Sequence, residues 1–252
     1  LRTLATLLAV PFPALGAGLR DGRFLASLLV LNFVVVPAVV FGLSRFVAHD
    51  DALLVGVLLV LLAPCVDYVI AFTALAGGVA ERLLAAAPLL MLVQLVVLPV
   101  LLRAFAGPEA VAAVDAGPFV RALVVLILLP LALAALLQWG AVRGRGGVRD
   151  TAAGVVRGFT VAMVPLMVVT LFTVVASQIR GVGERLPALA AVVPLFAAFA
   201  AVMVALGVVA ARWARLDVPA GRALVFSGAT RNSLVVLPLT LALPASLDPA
   251  PL

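Results

Sequence analysis

The chain has 252 residues, of which 66% are hydrophobic and 11% charged, and its mean hydropathy of +1.33 excludes an ordinary water-soluble protein. The net charge is +6, but all 17 basic residues are arginines that lie mostly between apolar segments, so no nucleic-acid partner is expected. One cysteine and one histidine can form neither an intramolecular disulfide nor a zinc cluster, and we expect no metal and no cofactor.

Apolar runs separated by short polar loops predict an all-α polytopic membrane protein. A partial crossing at 1–10 has about half of the ~20 residues that a spanning helix needs. The predicted full crossings lie at 24–46, 53–78, 83–102, 122–139, 158–177, 186–211 and around 226–244. Because the first crossing is incomplete and none follows the last, we expect a chain that is truncated at both ends.

The crossing at 53–78 carries Pro64, Cys65 and Asp67 in the middle of its apolar run. Pro64 supplies no backbone N–H, and a carboxylate at bilayer depth costs roughly 3 kcal/mol on insertion scales. We therefore predict a break in this helix. Asp67 is expected to be a proton carrier or a charge partner. Cys65 is either a soft ligand for a thiophilic solute or a small buried hydrophobe.

The crossing at 226–244 has a comparable interruption. Its polar and flexible residues are Gly228, Thr230, Arg231, Asn232 and Ser233. Two broken helices in corresponding halves of a membrane protein indicate an inverted-repeat transporter with its binding site at the midplane. Arg231 is expected to pair with Asp67, either as a gate or as a purely structural ion pair. Its polar neighbours either coordinate the solute or a cation, or satisfy backbone groups that the break exposes.

The repeats and the orientation follow from the loops. The loop at 106–118 is expected to join a first repeat, 1–105, to a second, 119–252. Ten arginines lie in one set of alternate loops and five in the other, so the richer set is predicted to be cytoplasmic. The ten are Arg20, Arg23, Arg82, Arg143, Arg145, Arg149, Arg157, Arg212, Arg215 and Arg222. Asn32, inside the crossing at 24–46, is expected to make a hydrogen bond between helices.

The motif Leu-Ala-Pro-Cys at 62–65, followed by an apolar half-helix and a turn with Gly77 and Gly78, resembles the fourth helix of arsenite permeases of the arsenical-resistance-3 type. These permeases belong to the bile acid:sodium symporter superfamily. The segment at 32–37 resembles their third helix, and 227–233 resembles their second crossover, where an asparagine matches Asn232.

The resemblance covers nearly the whole chain and implies ten helices in two inverted repeats of five, with helices four and nine broken and crossing. This chain would then lack helix one, part of helix two and helix ten. The resemblance also implies that Cys65 is the residue tied to transport of the trivalent metalloid.

The chain departs from these relatives at the positions expected to bind coupling ions. The permeases carry a glutamate two residues after the crossover asparagine, where this chain has Leu234. The sodium-coupled bile acid branch has a serine and an asparagine where this chain has Val69 and Ile70. A proton rather than sodium is therefore the expected coupling ion.

These features predict a secondary transporter of the plasma membrane, an antiporter that exports arsenite or antimonite with Cys65 as a soft contact and Asp67 as the protonatable group. The alternative is a sodium- or proton-coupled symporter of organic anions with the same fold, whose bile-acid-like anion contacts Arg231 and the half-helix N-termini. A membrane-embedded enzyme is a third reading, but it needs a nucleophile with a base or paired carboxylates. The expected partners are a small-molecule or metalloid substrate, a coupling ion and the lipid bilayer.

Overall fold

The computed structural model describes residues 21–65, 68–112 and 186–231, with isolated helical positions between 129 and 176. Helices are the only regular secondary structure in this part of the chain, which confirms the all-α prediction. Three described segments are long and apolar enough to cross a bilayer: Gly22–Val47, Ala80–Gly107 and Val192–Trp213. The predicted crossings at 122–139 and 158–177 lie outside the described residues except for isolated positions, and the partial one at 1–10 lies wholly outside them.

The first described crossing confirms the helix predicted at 24–46. Its first part, α1 (Gly22–Val30), begins at the N-cap Asp21. The Asp21 carboxylate accepts a hydrogen bond from the backbone N–H of Phe24 at 3.1 Å, which satisfies one of the free donors at the helix start.

A π-helical turn follows α1 in the middle of this crossing. It covers Leu31–Val35 and leads into α2 (Val36–Ser44), after which a 3₁₀ turn (Arg45–Val47) ends the crossing. Pro37 gives a physical reason for the wider turn, because a proline lacks the N–H that a regular α-helix would use there. Asn32 is one of the residues of this turn, and its side chain is buried.

The next crossing is broken where the sequence predicts it. α3 (Asp51–Leu62) stops two residues before Pro64, and α4 (Tyr68–Leu75) resumes the helix after it. Pro64 removes a backbone donor and clashes with the preceding turn, so the first half-helix cannot continue through it.

The turn after α4 joins the two broken helices at one end of the structure. Gly77 adopts a left-handed conformation there, with φ of 67°. The guanidinium of Arg222 donates to the carbonyl oxygen of Ala76 at 2.9 Å, and the N–H of Val79 donates to the carbonyl of Pro219 at 3.2 Å.

The third described crossing is α5 (Ala80–Ala112), which bends at Gly107, where φ is 86°. It confirms the crossing predicted at 83–102. Helical structure also extends into the segment at 106–118 that is expected to join the repeats, and the division into two repeats stays a prediction.

Two helices form the last described part of the chain. α6 (Leu186–Trp213) confirms the crossing predicted at 186–211, and it packs against α7 (Val218–Ala229). α7 begins earlier than the predicted 226, because the Asp217 carboxylate caps it by accepting from the N–H of Ala220 at 3.1 Å. Arg222, which we expected in the loop before this helix, therefore lies within it.

The core lies where the first crossing, α3 and α5 meet α6 and α7. Its largest fully buried side chains include Phe24, Leu58, Phe199 and Leu224. Large apolar side chains also point outward, as at Val96, which is 67% exposed. In a membrane protein such outward apolar residues face lipid.

Contacts between the loops confirm that alternate loops gather at opposite ends. At one end, Asp21 forms an ion pair with Arg82 at 2.7 Å, and Arg23 donates to the carbonyl of Ala214 at 2.8 Å. At the other end, Arg45 donates to the carbonyl of Phe105 at 3.1 Å. The arginine-rich loops of the described part therefore share one end, whose cytoplasmic orientation stays a prediction.

The two roles of Asp21 are separable by substitution. Asp21→Asn keeps the N-cap but loses the ion pair with Arg82, and we expect a loss of stability of about 0.5 kcal/mol, because both side chains are about one-third exposed. Asp21→Ala loses both, and we expect about 1.5 kcal/mol. Thermal unfolding of the purified variants in detergent measures this difference. Equal losses for the two variants would show that the cap contributes nothing.

Candidate functional site

The two helix breaks meet at one point of the structure. Thr230 leaves α7 in an extended conformation, with φ of −91° and ψ of 135°. Arg231 then forms an antiparallel backbone bridge with Pro64, which lies in the break between α3 and α4. The bridge brings the break between α3 and α4 against the end of α7, at a point that we call the crossing; that two complete broken helices cross here stays a prediction.

The Arg231 side chain turns back over the end of α7. Its Nη2 donates to Asn32 Oδ1 at 3.2 Å and to the carbonyl oxygen of Ser227 at 2.9 Å. The same nitrogen donates to the carbonyl of Gly228. The guanidinium carbon also lies 5.4 Å from the centre of the Phe199 ring, within the range of a cation–π contact.

The other two nitrogens of the Arg231 guanidinium, Nε and Nη1, do not share the acceptors of Nη2. Arg231 is partly exposed as a residue, yet its Nε and Nη1 atoms are buried and have no hydrogen-bond partner among the described residues. Buried donors of a charged group that lack acceptors cost free energy. Among the described residues, these two charged N–H donors at the end of α7 therefore remain unsatisfied.

A buried network holds the guanidinium in place. Asn32 Nδ2 donates to the carbonyl of Leu28 and to Ser227 Oγ, both at 3.0 Å. Asn32 is 1% exposed and Ser227 is fully buried. Because both partners of Nδ2 are acceptors at these distances, the network orients Oδ1 towards Arg231. The predicted hydrogen bond of Asn32 between helices is confirmed.

Cys65 lies directly after the bridged Pro64 and is 1% exposed. It is close enough to Arg231 for the two side chains to interact electrostatically. The only cysteine of the chain therefore lies next to the bridged Pro64 and within electrostatic range of the guanidinium.

The remaining predicted residues divide into two groups. Thr230 Oγ1 donates to the carbonyl of Phe226 at 2.7 Å, so its hydroxyl satisfies a backbone group at the end of α7. Gly228 allows a close approach, since a Cβ there would lie 2.7 Å from Leu31 Cδ2. Outside the described residues lie Asp67, Asn232 and Ser233.

Three side chains of the site were not among the predicted site residues: Asn32, Ser227 and Phe199. Asn32 carried a signal, because an amide inside an apolar crossing needs a polar partner. Ser227 begins the segment at 227–233 that resembles the second crossover, whereas Phe199 carried no signal, since a phenylalanine is an ordinary residue of a membrane helix.

A scan against protein families matches residues 9–249 to the SBF-like CPA transporter family. The chain belongs to this family. This SBF-like transporter is therefore a multi-pass membrane protein related to the bile acid:sodium symporters, and it moves a small-molecule substrate in a lipid environment. The superfamily part of the resemblance is confirmed, whereas its arsenite-permease part stays a prediction, as does the absence of enzymatic activity. A comparison with curated proteins finds no match.

Proposed function

We propose that this SBF-like transporter carries a small organic anion across the plasma membrane and that Arg231 is the cationic contact of the substrate. The observation that carries the proposal is the pair of buried nitrogens, Nε and Nη1, without an acceptor among the described residues. A carboxylate that binds at the crossing would supply these acceptors and neutralise the guanidinium.

The broken helices strengthen the attraction for an anion. α4 begins at Tyr68, shortly after the bridged Pro64, so its free N–H groups start close to the crossing. Half-helix N-termini carry a partial positive charge and face anionic groups of substrates in transporters with broken helices. Alternating access would then move the crossing relative to the rest of the protein.

Export of arsenite or antimonite is the second candidate function. It is favoured by the position of Cys65, whose thiol is a soft ligand and follows directly after the bridged Pro64, within electrostatic range of Arg231. For either substrate, a proton remains the proposed coupling ion and Asp67 its proposed carrier.

The two candidates are separated by two variants and two assays. The first assay measures uptake of radiolabelled carboxylates, from acetate to a bile acid, into vesicles that contain the protein. The second measures arsenite efflux from an arsenite-sensitive bacterial host. We expect carboxylate uptake that falls about 10- to 100-fold in Arg231→Ala, the loss of one or two charge-assisted hydrogen bonds, and that persists in Cys65→Ser.

Two control variants test whether a loss of uptake is due to Arg231 at the point where the two helix breaks meet. Arg222→Ala removes another arginine of α7, whose exposed side chain donates to the carbonyl of Ala76 far from Arg231, and should leave uptake unchanged. Arg231→Lys keeps the charge and should retain part of the uptake. Arsenite efflux that disappears in Cys65→Ser and persists in Arg231→Ala would contradict the anion proposal and support the second candidate.

A further inference from the structure

We propose that the Arg231 guanidinium occupies the place of a coupling cation, so that this transporter works without sodium. The inference deepens the proposed function, because it concerns the same crossing, but its test needs no substrate. It rests on the acceptors of Nη2, whereas the anion proposal rests on the other two nitrogens.

The acceptors of Nη2 are the kind of oxygens that bind a small cation. Asn32 contributes a side-chain amide oxygen, while Ser227 and Gly228 contribute main-chain carbonyls. Amide and carbonyl oxygens are the ligands of hard cations, and rings of carbonyls replace the hydration shell of monovalent ions in channels. All three converge on one nitrogen of Arg231.

The position of these oxygens is also that of a coupling ion. Ser227 and Gly228 lie in the last turn of the half-helix α7 (Val218–Ala229), where the helix dipole places a partial negative charge. In transporters with broken helices, the C-terminal ends of half-helices and unwound carbonyls coordinate the coupling cation. Here a covalently attached cation fills that position.

A simple capping role does not account for the whole arrangement. An arginine that caps a helix needs only the free carbonyls of that helix. Arg231 also takes an oxygen from Asn32, which belongs to the first described crossing, and its backbone is paired with Pro64 in the other broken helix. The guanidinium thus links three chain segments, as a bound ion would.

A tethered cation has a definite consequence for energy coupling. It permanently stabilises the point where the two helix breaks meet, but it cannot dissociate to either side of the membrane. A sodium gradient therefore cannot supply free energy through this position, and the affinity for an anion does not depend on external sodium.

The experiment measures thermal unfolding of the full chain, purified in detergent, in sodium chloride, potassium chloride and choline chloride at constant ionic strength. Wild type should unfold at the same temperature in all three salts. Arg231→Ala opens the oxygen-lined position to an ion, and we expect a saturable stabilisation by sodium of roughly 5–10 °C. Arg231→Lys should remain insensitive to sodium, because it keeps a tethered charge. Arg222→Ala removes an exposed arginine with one carbonyl partner and should also remain insensitive.

Each outcome decides the proposal. An Arg231→Ala protein that can be purified only in sodium supports it as well as a sodium-dependent shift does. A sodium-dependent shift in wild type overturns it. So does an Arg231→Ala protein that ignores sodium, or one that is unfolded in every salt, because sodium then fails to replace the guanidinium. None of these unfolding measurements depends on a substrate, so a failure to observe carboxylate uptake would not change their outcome.

Discussion

Replacing Gly207 with leucine is expected to remove most of the folded protein. Gly207 lies in α6 (Leu186–Trp213), and a Cβ there would lie 3.0 Å from Val225 Cα and 3.2 Å from Val225 Cγ2. The first of these atoms is backbone of α7, so no side-chain rotation relieves the clash. Small residues allow such close approach between membrane helices. We expect a destabilisation of about 3 kcal/mol, the upper end of the usual range for overpacking.

The same substitution at Gly42 is the matched control. Gly42 is exposed in α2 (Val36–Ser44), and a Cβ there meets no described atom within 4 Å. Gly42→Leu should therefore give wild-type amounts of monodisperse protein on size-exclusion chromatography, while Gly207→Leu gives aggregate. Similar yields for both variants would show that α6 and α7 separate without cost. Gly207→Ala should fold but shift α7, and with it Arg231, so its transport should fall more than its yield.

The helices and their breaks were predictable because each depends on local chemistry. Apolar runs of spanning length fix α5 and α6, and Pro64 fixes the end of α3 whatever surrounds it. The predicted start of α7 was wrong, because the Asp217 carboxylate caps the helix before the apolar run begins. The π-helical turn at Leu31–Val35 was missed, because its only local signal is Pro37.

The contacts of the site were less predictable, because they join residues that are far apart in the chain. Asn32 and Ser227 are separated by 195 positions, and the packing of α1 and the π-helical turn against α7 brings them together. The sequence predicted that Arg231 pairs with Asp67, which lies outside the described residues, whereas the observed backbone bridge joins Arg231 to Pro64. A backbone bridge depends on how two chain segments pass each other, which side-chain charges do not reveal.

Asn32→Leu is the second substitution with a large expected effect. The leucine has the same branched shape and the same number of side-chain heavy atoms, but it removes the oxygen that accepts from Arg231 Nη2 and the nitrogen that donates to Ser227 Oγ. Each buried polar group left without a partner costs about 1–3 kcal/mol, so we expect a total of about 3 kcal/mol and a thermal midpoint that is roughly 6–12 °C lower. Carboxylate uptake should fall further than stability alone explains, since the guanidinium loses the contact that orients it.

Two serine variants test whether this loss belongs to the network or to any buried polar group. Ser227→Ala removes one partner of Asn32 Nδ2, which keeps its bond to the carbonyl of Leu28, and should cost only about 1 kcal/mol. Ser44→Ala removes a buried hydroxyl that donates to the carbonyl of Phe41 and should leave uptake unchanged. When Ser227→Ala is combined with Asn32→Leu, it should add no further cost in stability, because Asn32→Leu has already broken the hydrogen bond between Asn32 and Ser227. Additive costs would mean that Asn32 acts on Arg231 alone, and the guanidinium would then be held without the help of Ser227 Oγ.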